Sequence, residues 1–167
     1  MTATMSLGLA QLAYGIWAVR SNAAAAPIFR ASESCQLRAL DSAETSAGGA
    51  CQIESAVVLA RNSHSSRHGT SYSLVTVSPD GRRDDTPLVG YAGTSFWVRV
   101  IPTQEIKVQR FVAPGYHLSG NVTAFADPVG SIMTRYNPDS GAYYDGVNAL
   151  LGGLIFAVGI ALLVKTR

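Results

Sequence analysis

The C-terminal end of the chain is an uncharged apolar run that is closed by two cations. From Val147 to Val164 the sequence has 18 residues without a charge. As a helix, such a run would be about 27 Å long, which is close to the hydrocarbon thickness of a bilayer. Asn148 is its only strongly polar side chain, so the polar face of a soluble surface helix is missing. The sequence therefore predicts a transmembrane helix over residues 143–165.

A second apolar segment lies near the start of the chain, from Met5 to Val19, and is followed by Arg20. The uncharged stretch reaches back to residue 2, so the whole segment is just long enough to span a membrane. The alternative is the apolar core of a secretory signal, with the small residues 23–26 as the cleavage region. No Lys or Arg precedes the run, as a signal would require, so we favour a retained transmembrane helix over residues 2–20.

Small residues recur at helical spacing in both apolar segments, which predicts close packing against another helix. The alternative is that Gly and Ala are simply common in membrane helices. The predicted packing positions of the second helix are Ala149, Gly153, Ala157 and Ala161. Those of the first helix are Gly8, Gln11 and Gly15, with Gln11 able to hydrogen-bond across the contact. The packing partner is either the other segment of this chain or a neighbouring protein.

Aromatic and basic residues flank the two segments in the way that membrane-interface anchors do. Trp17 closes the first segment, Tyr143 and Tyr144 open the second, and Lys165 and Arg167 follow it. These anchors predict a hairpin whose open end adjoins the middle of the chain. Membrane lipid is then a predicted partner, and the cationic tail weakly favours a cytoplasmic C-terminus.

The only two cysteines, Cys35 and Cys51, enclose fifteen residues that are poor in apolar side chains. Such a pair is most simply a disulfide, although two unpaired thiols are the alternative. A metal site is disfavoured because two cysteines without a nearby histidine supply too few ligands. A disulfide does not persist in a reducing cytosol, so the pair predicts an extracytoplasmic domain.

The composition supports one modest domain between two anchors, since 47% of the residues are hydrophobic and only 14% are charged. Residues 21–51 are predicted to be mostly irregular or partly helical and to contain the disulfide loop. Residues 52–142 are predicted to form a β-rich domain. From Arg30 to Asp145 there are eleven acidic and ten basic residues, and no basic stripe is present. Nucleic acid is therefore not expected as a partner.

Alternation of apolar and polar residues predicts the strands of this domain, and Pro and Gly mark the gaps between them. Asn62 to Thr70 is predicted to be a polar loop, and Ser78 to Gly81 a turn. The predicted strands cover residues 52–61, 72–77, 94–101, 105–112, 121–125 and 132–136. The expected fold is thus membrane-anchored and all-β, with two transmembrane helices flanking a small antiparallel β-sandwich or open barrel.

Several motifs resemble a widespread bacterial family of small membrane proteins that is catalogued only as a domain of unknown function. They are Glu54 to Val58, Tyr72 to Val77 running into Asp80-Gly81, Leu118 to Thr123, and Tyr136 to Asp139. The usual Gly-Asp of the family is Gly120-Asn121 here, and an extra segment lies around residues 129–133. The resemblance implies a β-rich domain between two transmembrane helices of a bacterial inner (plasma) membrane, and it implies no particular chemistry.

No motif of a known catalytic site, phosphate loop or dinucleotide fold occurs. His64 and His68 lie in a Ser-rich stretch that is typical of a loop, and His117 is a lone turn histidine. No cofactor, metal or enzymatic activity is therefore expected. The sequence favours a non-catalytic accessory subunit of a larger, hetero-oligomeric membrane protein complex, which docks by its two helices. The alternative is an envelope module that senses or binds a ligand or a protein.

Overall fold

The computed structural model describes residues 2–41, 49–67 and 69–165. A short 3₁₀ turn, Glu33–Cys35, follows the first helix. The helices are α1 (Thr2–Ala31), α2 (Leu37–Asp41), α3 (Gly90–Arg99) and α4 (Pro138–Lys165). The strands are β1 (Cys51–Ser66), β2 (Gly69–Val77), β3 (Arg83–Leu88), β4 (Glu105–Phe111), β5 (Val122–Asp127) and β6 (Gly130–Met133).

The six strands form one antiparallel sheet in the order β3-β2-β1-β4-β5-β6. Strands β1 to β3 and strands β4 to β6 are two meanders, because each strand pairs with the next one along the chain. The two meanders join where β1 pairs with β4, so the chain must cross the sheet between β3 and β4. Helix α3 makes that crossing, and it therefore covers one face of the sheet.

The face under α3 carries the larger apolar core. Phe96 of α3 is fully buried and lies against Phe125, with ring centroids 6.1 Å apart. Val100, four residues after Phe96 at the C-terminal cap of α3, is also buried. Together with Gly93, three residues before Phe96, it gives the spacing of a helix that faces the sheet along one side. The strand residues of this core are Ala56, Val58, Leu74, Leu88, Ile106, Val108, Val122, Phe125 and Ile132.

The opposite face is covered by the C-terminal half of α1, the 3₁₀ turn and α2. Phe29 of α1 packs against Phe111 of β4, with ring centroids 6.0 Å apart. The disulfide between Cys35 and Cys51 is buried in this same cluster. Leu40 of α2 fills a smaller cluster nearby. The domain is thus one sheet between two helical layers.

The prediction of two membrane-spanning helices is contradicted. Within the part of the chain that the structure describes, no helix combines the length and the apolar character that crossing a membrane requires. In α1 the apolar run contains Gln11, ends at Arg20, and continues as helix through residues 21–31. In α4 nothing is described of the side chains at positions 139–145, 148, 159 and 162–165. The assignments to a membrane-anchored fold and to a bacterial inner membrane are corrected accordingly.

The prediction of an all-β sandwich or barrel is also wrong, because the strands form one open sheet and the helices supply the other layers. Residues 94–101 were expected to be a strand, but residues 94–99 belong to α3 and Val100 is its C-cap. Over so short a run, the spacing of the large residues fits the two-residue period of a strand as well as the 3.6-residue period of a helix. The burial of Gly93, Phe96 and Val100 follows the helical period. Residues 21–31, expected to be irregular, continue α1.

Strand β1 is longer than its apolar pattern predicts. Residues 62–66, expected to lie in a loop, pair with residues 69–73 of β2 and form an exposed hairpin arm. Arg61 fixes the base of this arm, because its Nη1 donates to the backbone carbonyls of Trp97 and Val98 at 3.1 and 3.2 Å. Cations commonly satisfy the last carbonyls of a helix in this way.

The predicted disulfide is confirmed. Cys35 and Cys51 are bonded across a sequence separation of 16. Disulfides persist in oxidising compartments, and this one links the end of α1 to the first residue of the central strand. The hydroxyls of Ser32 and Ser34 accept hydrogen bonds from the backbone N–H groups of Ala50 and Cys51, so the same junction is also closed non-covalently.

Removing the disulfide is expected to lower the free energy of unfolding by about 3 kcal/mol, the value for closing a loop of this length. The variant is Cys35→Ala with Cys51→Ala, measured by urea denaturation beside the wild type with and without reductant. The reduced wild type should resemble the variant. Equal stability of all three samples would contradict the expectation.

Candidate docking surface

Helices α1 and α4 lie antiparallel, and their backbones touch at three glycines. A Cβ atom placed on Gly8 would lie 2.8 Å from the backbone nitrogen of Phe156. One on Gly15 would lie 2.7 Å from the Cα atom of Ala149. One on Gly152 would lie 2.5 Å from the backbone nitrogen of Leu12. Side chains at these positions would force the helices apart, so we call this contact the glycine seam (Gly8, Gly15 and Gly152).

The residues predicted for helix packing do not all lie at the seam. Gly8, Gly15 and Ala149 do, and the backbone of Gln11 faces Gly152. A Cβ on Gly153 would meet only the Cδ1 atom of Leu12 at 3.8 Å, which is ordinary contact. Ala157 and Ala161 are exposed. On α4 the glycine at the seam is therefore Gly152, one residue before the predicted Gly153.

The outer surface of the helix pair is apolar. Leu150 and Leu154 of α4 are 71% and 63% exposed, and Leu7 of α1 is 65% exposed. We call this surface the apolar face; its exposed side chains are Leu7, Leu9, Tyr14, Ile16, Trp17, Val147, Leu150, Leu151, Leu154, Val158 and Ile160. Large exposed apolar surfaces are uncommon on folded domains and are typical of interaction sites.

A small aromatic cluster joins α1 to the turn between β4 and β5. The ring of His117 lies edge-on to Trp17 and Tyr14, with centroids 5.1 and 5.5 Å apart. The backbone N–H of His117 donates to the hydroxyl of Ser21 at 2.7 Å. Trp17, predicted as an interface anchor, thus lies where the helix pair meets the sheet. Of the other predicted anchors, the side chains of Tyr143, Tyr144 and Lys165 and all of Arg167 lie outside the described residues.

A buried arginine ties three strands together beneath the sheet's α3 face. The side chain of Arg110 is 1% exposed, and its guanidinium donates to Asp84 at 2.6 and 3.2 Å. It also donates to Glu54 at 3.1 Å and to the carbonyl of Gly120 at 2.6 Å. Burial alone would lower the pKa of Arg110, but the hydrogen bonds and charges of Asp84 and Glu54 raise it.

The carboxylates of this cluster are already engaged. Glu54 accepts further hydrogen bonds from the hydroxyl of Ser78 at 2.8 Å and from Arg82 at 2.9 Å. A carboxylate that is bonded to two guanidinium groups from different elements is suited to fixing strands. Sequence reasoning missed this cluster. The available signal was that Glu54 and Arg110 share the inward phase of their strands with apolar core residues.

A second ion pair joins the end of α3 to β5. Arg99, the last residue of α3, donates to Asp127 at 2.6 and 3.1 Å. Burial would raise the pKa of the Asp127 carboxyl, but the hydrogen bonds from Arg99 and from the backbone N–H groups of Gly130 and Val129 outweigh it and lower the pKa. This carboxylate is therefore ionised and occupied at neutral pH.

The other features that could form a site are clusters of titratable side chains and a cavity beside the sheet. Within the described residues no group of three His, Cys, Asp or Glu side chains could hold a metal ion. A cavity of about 660 Å³ lies beside β4 and the β5–β6 turn, with Ser55, Glu105 and Lys107 among its polar lining residues. Lys107 already donates to the carbonyl of Leu40 at 2.8 Å. His64 lies exposed on the hairpin arm.

Comparison of the chain with protein-family models, with curated proteins and with solved structures finds no match. The resemblance drawn from the sequence motifs therefore stays a prediction, and the function must be argued from the surfaces described above.

Two neighbouring glycines of α4 give a sharp test of the seam. Gly152→Ala should lower the free energy of unfolding by about 1 to 3 kcal/mol, because the new methyl group meets backbone that cannot yield. Gly153→Ala should leave it unchanged or raise it by up to about 1 kcal/mol, because alanine favours the helix. Urea denaturation followed by circular dichroism measures both. Equal effects of the two substitutions would refute the proposed seam.

Asp127 should make the stability depend on pH in the acidic range. Because its pKa is lowered in the folded state, its contribution is present above the ordinary carboxyl pKa and is lost as pH falls through the folded value. Asp127→Asn should therefore cost about 1 to 3 kcal/mol at pH 7, and this cost should shrink below about pH 4. Urea midpoints of both proteins from pH 7 to pH 3 test this. A constant difference would contradict it.

Proposed function

We propose that this chain is a non-catalytic structural or accessory subunit, which docks on a larger protein complex through the apolar face of its α1–α4 pair. The observation that carries the proposal is the exposure of this face on helices that are apolar nearly all round. Helices of that composition are ordinarily covered in their working state. The proposal gives the covering role to another protein subunit.

The remaining structure suits a rigid accessory role. The seam holds the two helices together, and the disulfide and the Phe29 cluster hold α1 on the sheet. The sheet's buried charges satisfy one another, with Arg110 and Arg99 each paired to acidic side chains. A subunit that is braced in this way can position its sheet relative to whatever its helices contact.

A binding or sensing module is the second candidate. The cavity beside β4 and the β5–β6 turn favours it, since a space of about 660 Å³ is within the range of small-molecule sites. Its polar groups are largely engaged within the protein: Asp127 with Arg99, and Lys107 with Leu40. For this reason we place docking first. A monomer that binds a small molecule without any protein partner would reverse the order.

The docking proposal is tested by charge substitution at matched exposed positions. Leu154 is 63% exposed on the apolar face, and Val129 is 73% exposed on the β5–β6 turn. Leu154→Glu should weaken assembly by at least about 30-fold, because a charge would be buried at the contact, whereas Val129→Glu should have no effect. Neither substitution removes a packed core residue, so both proteins should fold.

The measurement is native mass spectrometry of the assembly that is isolated through a tag on this chain from its source cells. A stoichiometric heteromer that is lost in Leu154→Glu and kept in Val129→Glu supports the proposal. Isolation of the chain alone, or of a chain covered only by detergent, contradicts it. Equal loss in both variants would also contradict it, because assembly would not depend on the apolar face.

A further inference from the structure

A groove of about 570 Å³ runs between α1 and α4 on the part of the pair nearest the sheet. Its walls include Ile16, Val19 and Arg20 on α1 and Val147, Ala149 and Leu150 on α4. We propose that this groove seats one apolar α-helix of the partner subunit, so that the contact is a three-helix bundle. The inference rests on the proposed function and adds the kind of element that the partner must supply.

The shape of the groove favours a helix. Its two walls are antiparallel helices, so the space between them follows their axes and accepts a third helix lying along them. Apart from Arg20, its lining residues offer no polar side chain. An extended strand would leave its backbone N–H and C=O groups without partners in such a site, whereas a helix satisfies them internally.

The floor of the groove is open at a glycine. A Cβ atom placed on Gly146 meets no other atom within 4 Å, in contrast to the glycines of the seam. The small side chain of Ala149 lies one turn further along the same helix. Large side chains of the visiting helix would fit over these two positions, flanked by Ile16 on one side and Leu150 on the other.

Arg20 sets the chemistry expected at one end of the visiting helix. It is the one charged residue among the described residues that line the groove, and it is exposed. A cation beside an apolar contact is costly to cover unless an anion meets it. The partner helix should therefore carry an acidic side chain, or its own carboxyl end, at the level of Arg20.

The open space at Gly146 allows a test that distinguishes an effect of filling the groove from an effect of losing the fold. Gly146→Ala should raise the Tm by about 2 to 4 °C and keep the assembly, because the methyl group leaves most of the groove empty. Gly146→Leu should keep the Tm of the alanine variant and reduce assembly at least tenfold, because its side chain occupies the helix seat. Undiminished assembly of Gly146→Leu overturns the inference.

The failure of this inference is distinguishable from failure of the docking proposal. If Leu154→Glu abolishes assembly while Gly146→Leu does not, the apolar face docks a partner without using the groove. If neither substitution matters, the docking proposal itself fails. If Gly146→Leu loses stability as well as assembly, the result counts against an open floor and against the inference.

Photo-crosslinking identifies the occupant. A photoreactive phenylalanine analogue is placed singly at Ile16, Val19, Val147 and Leu150 in the intact assembly, with Tyr91 on α3 as the exposed control. The expected crosslinks join one partner segment at positions three or four residues apart, with an acidic residue near the site of Arg20. Crosslinks to a second copy of this chain, to lipid alone, or to partner residues without helical spacing would overturn the inference.

Discussion

The direct backbone contact between α1 and α4 is the constraint on which the rest of the architecture depends. Three glycines allow it, and they alternate between the helices: Gly8 and Gly15 on one, Gly152 on the other. Because the helices approach through backbone, their large side chains are turned outward or to the flanks. The same feature that joins the helices thus leaves their large apolar side chains exposed. The contact between the helices and the exposure of the apolar face follow from one packing arrangement.

The helix pair and the sheet are connected at few places, and each has a distinct physical basis. The disulfide fixes the end of α1 to β1, the Phe29 and Phe111 rings fill the space beside it, and His117 contacts α1 from the β4–β5 turn. On the opposite face, Arg110 holds β1, β3 and β4 in place. The sheet is therefore braced from both sides before any partner binds.

Local pattern predicted part of this structure correctly: the disulfide and much of the β content followed from two cysteines and from alternation. The strand assigned to residues 94–101 was wrong because Phe96, Val98 and Val100 alternate as a strand does, while burial of Phe96 and Val100 follows a helix. The hairpin arm was missed because residues 62–66 are ordered by backbone pairing with β2, and no burial of their side chains marks them as a strand in the sequence. The inward phase of Glu54 and Arg110 could have indicated buried charges, but their pairing with Asp84 could not be predicted, since these residues come from strands distant in sequence. The membrane spans were inferred from apolarity, which does not by itself say what covers a helix.

The covalent bond at the α1–β1 junction also governs how a mechanical load would pass through the molecule. A pull on α1 would reach the central strand through Cys35 and Cys51 and would bypass the intervening residues 36–50. Within that stretch α2 packs on the sheet through Leu40, and these contacts would not have to bear the load. The bond therefore separates the path that transmits force from the contacts that only cover the sheet.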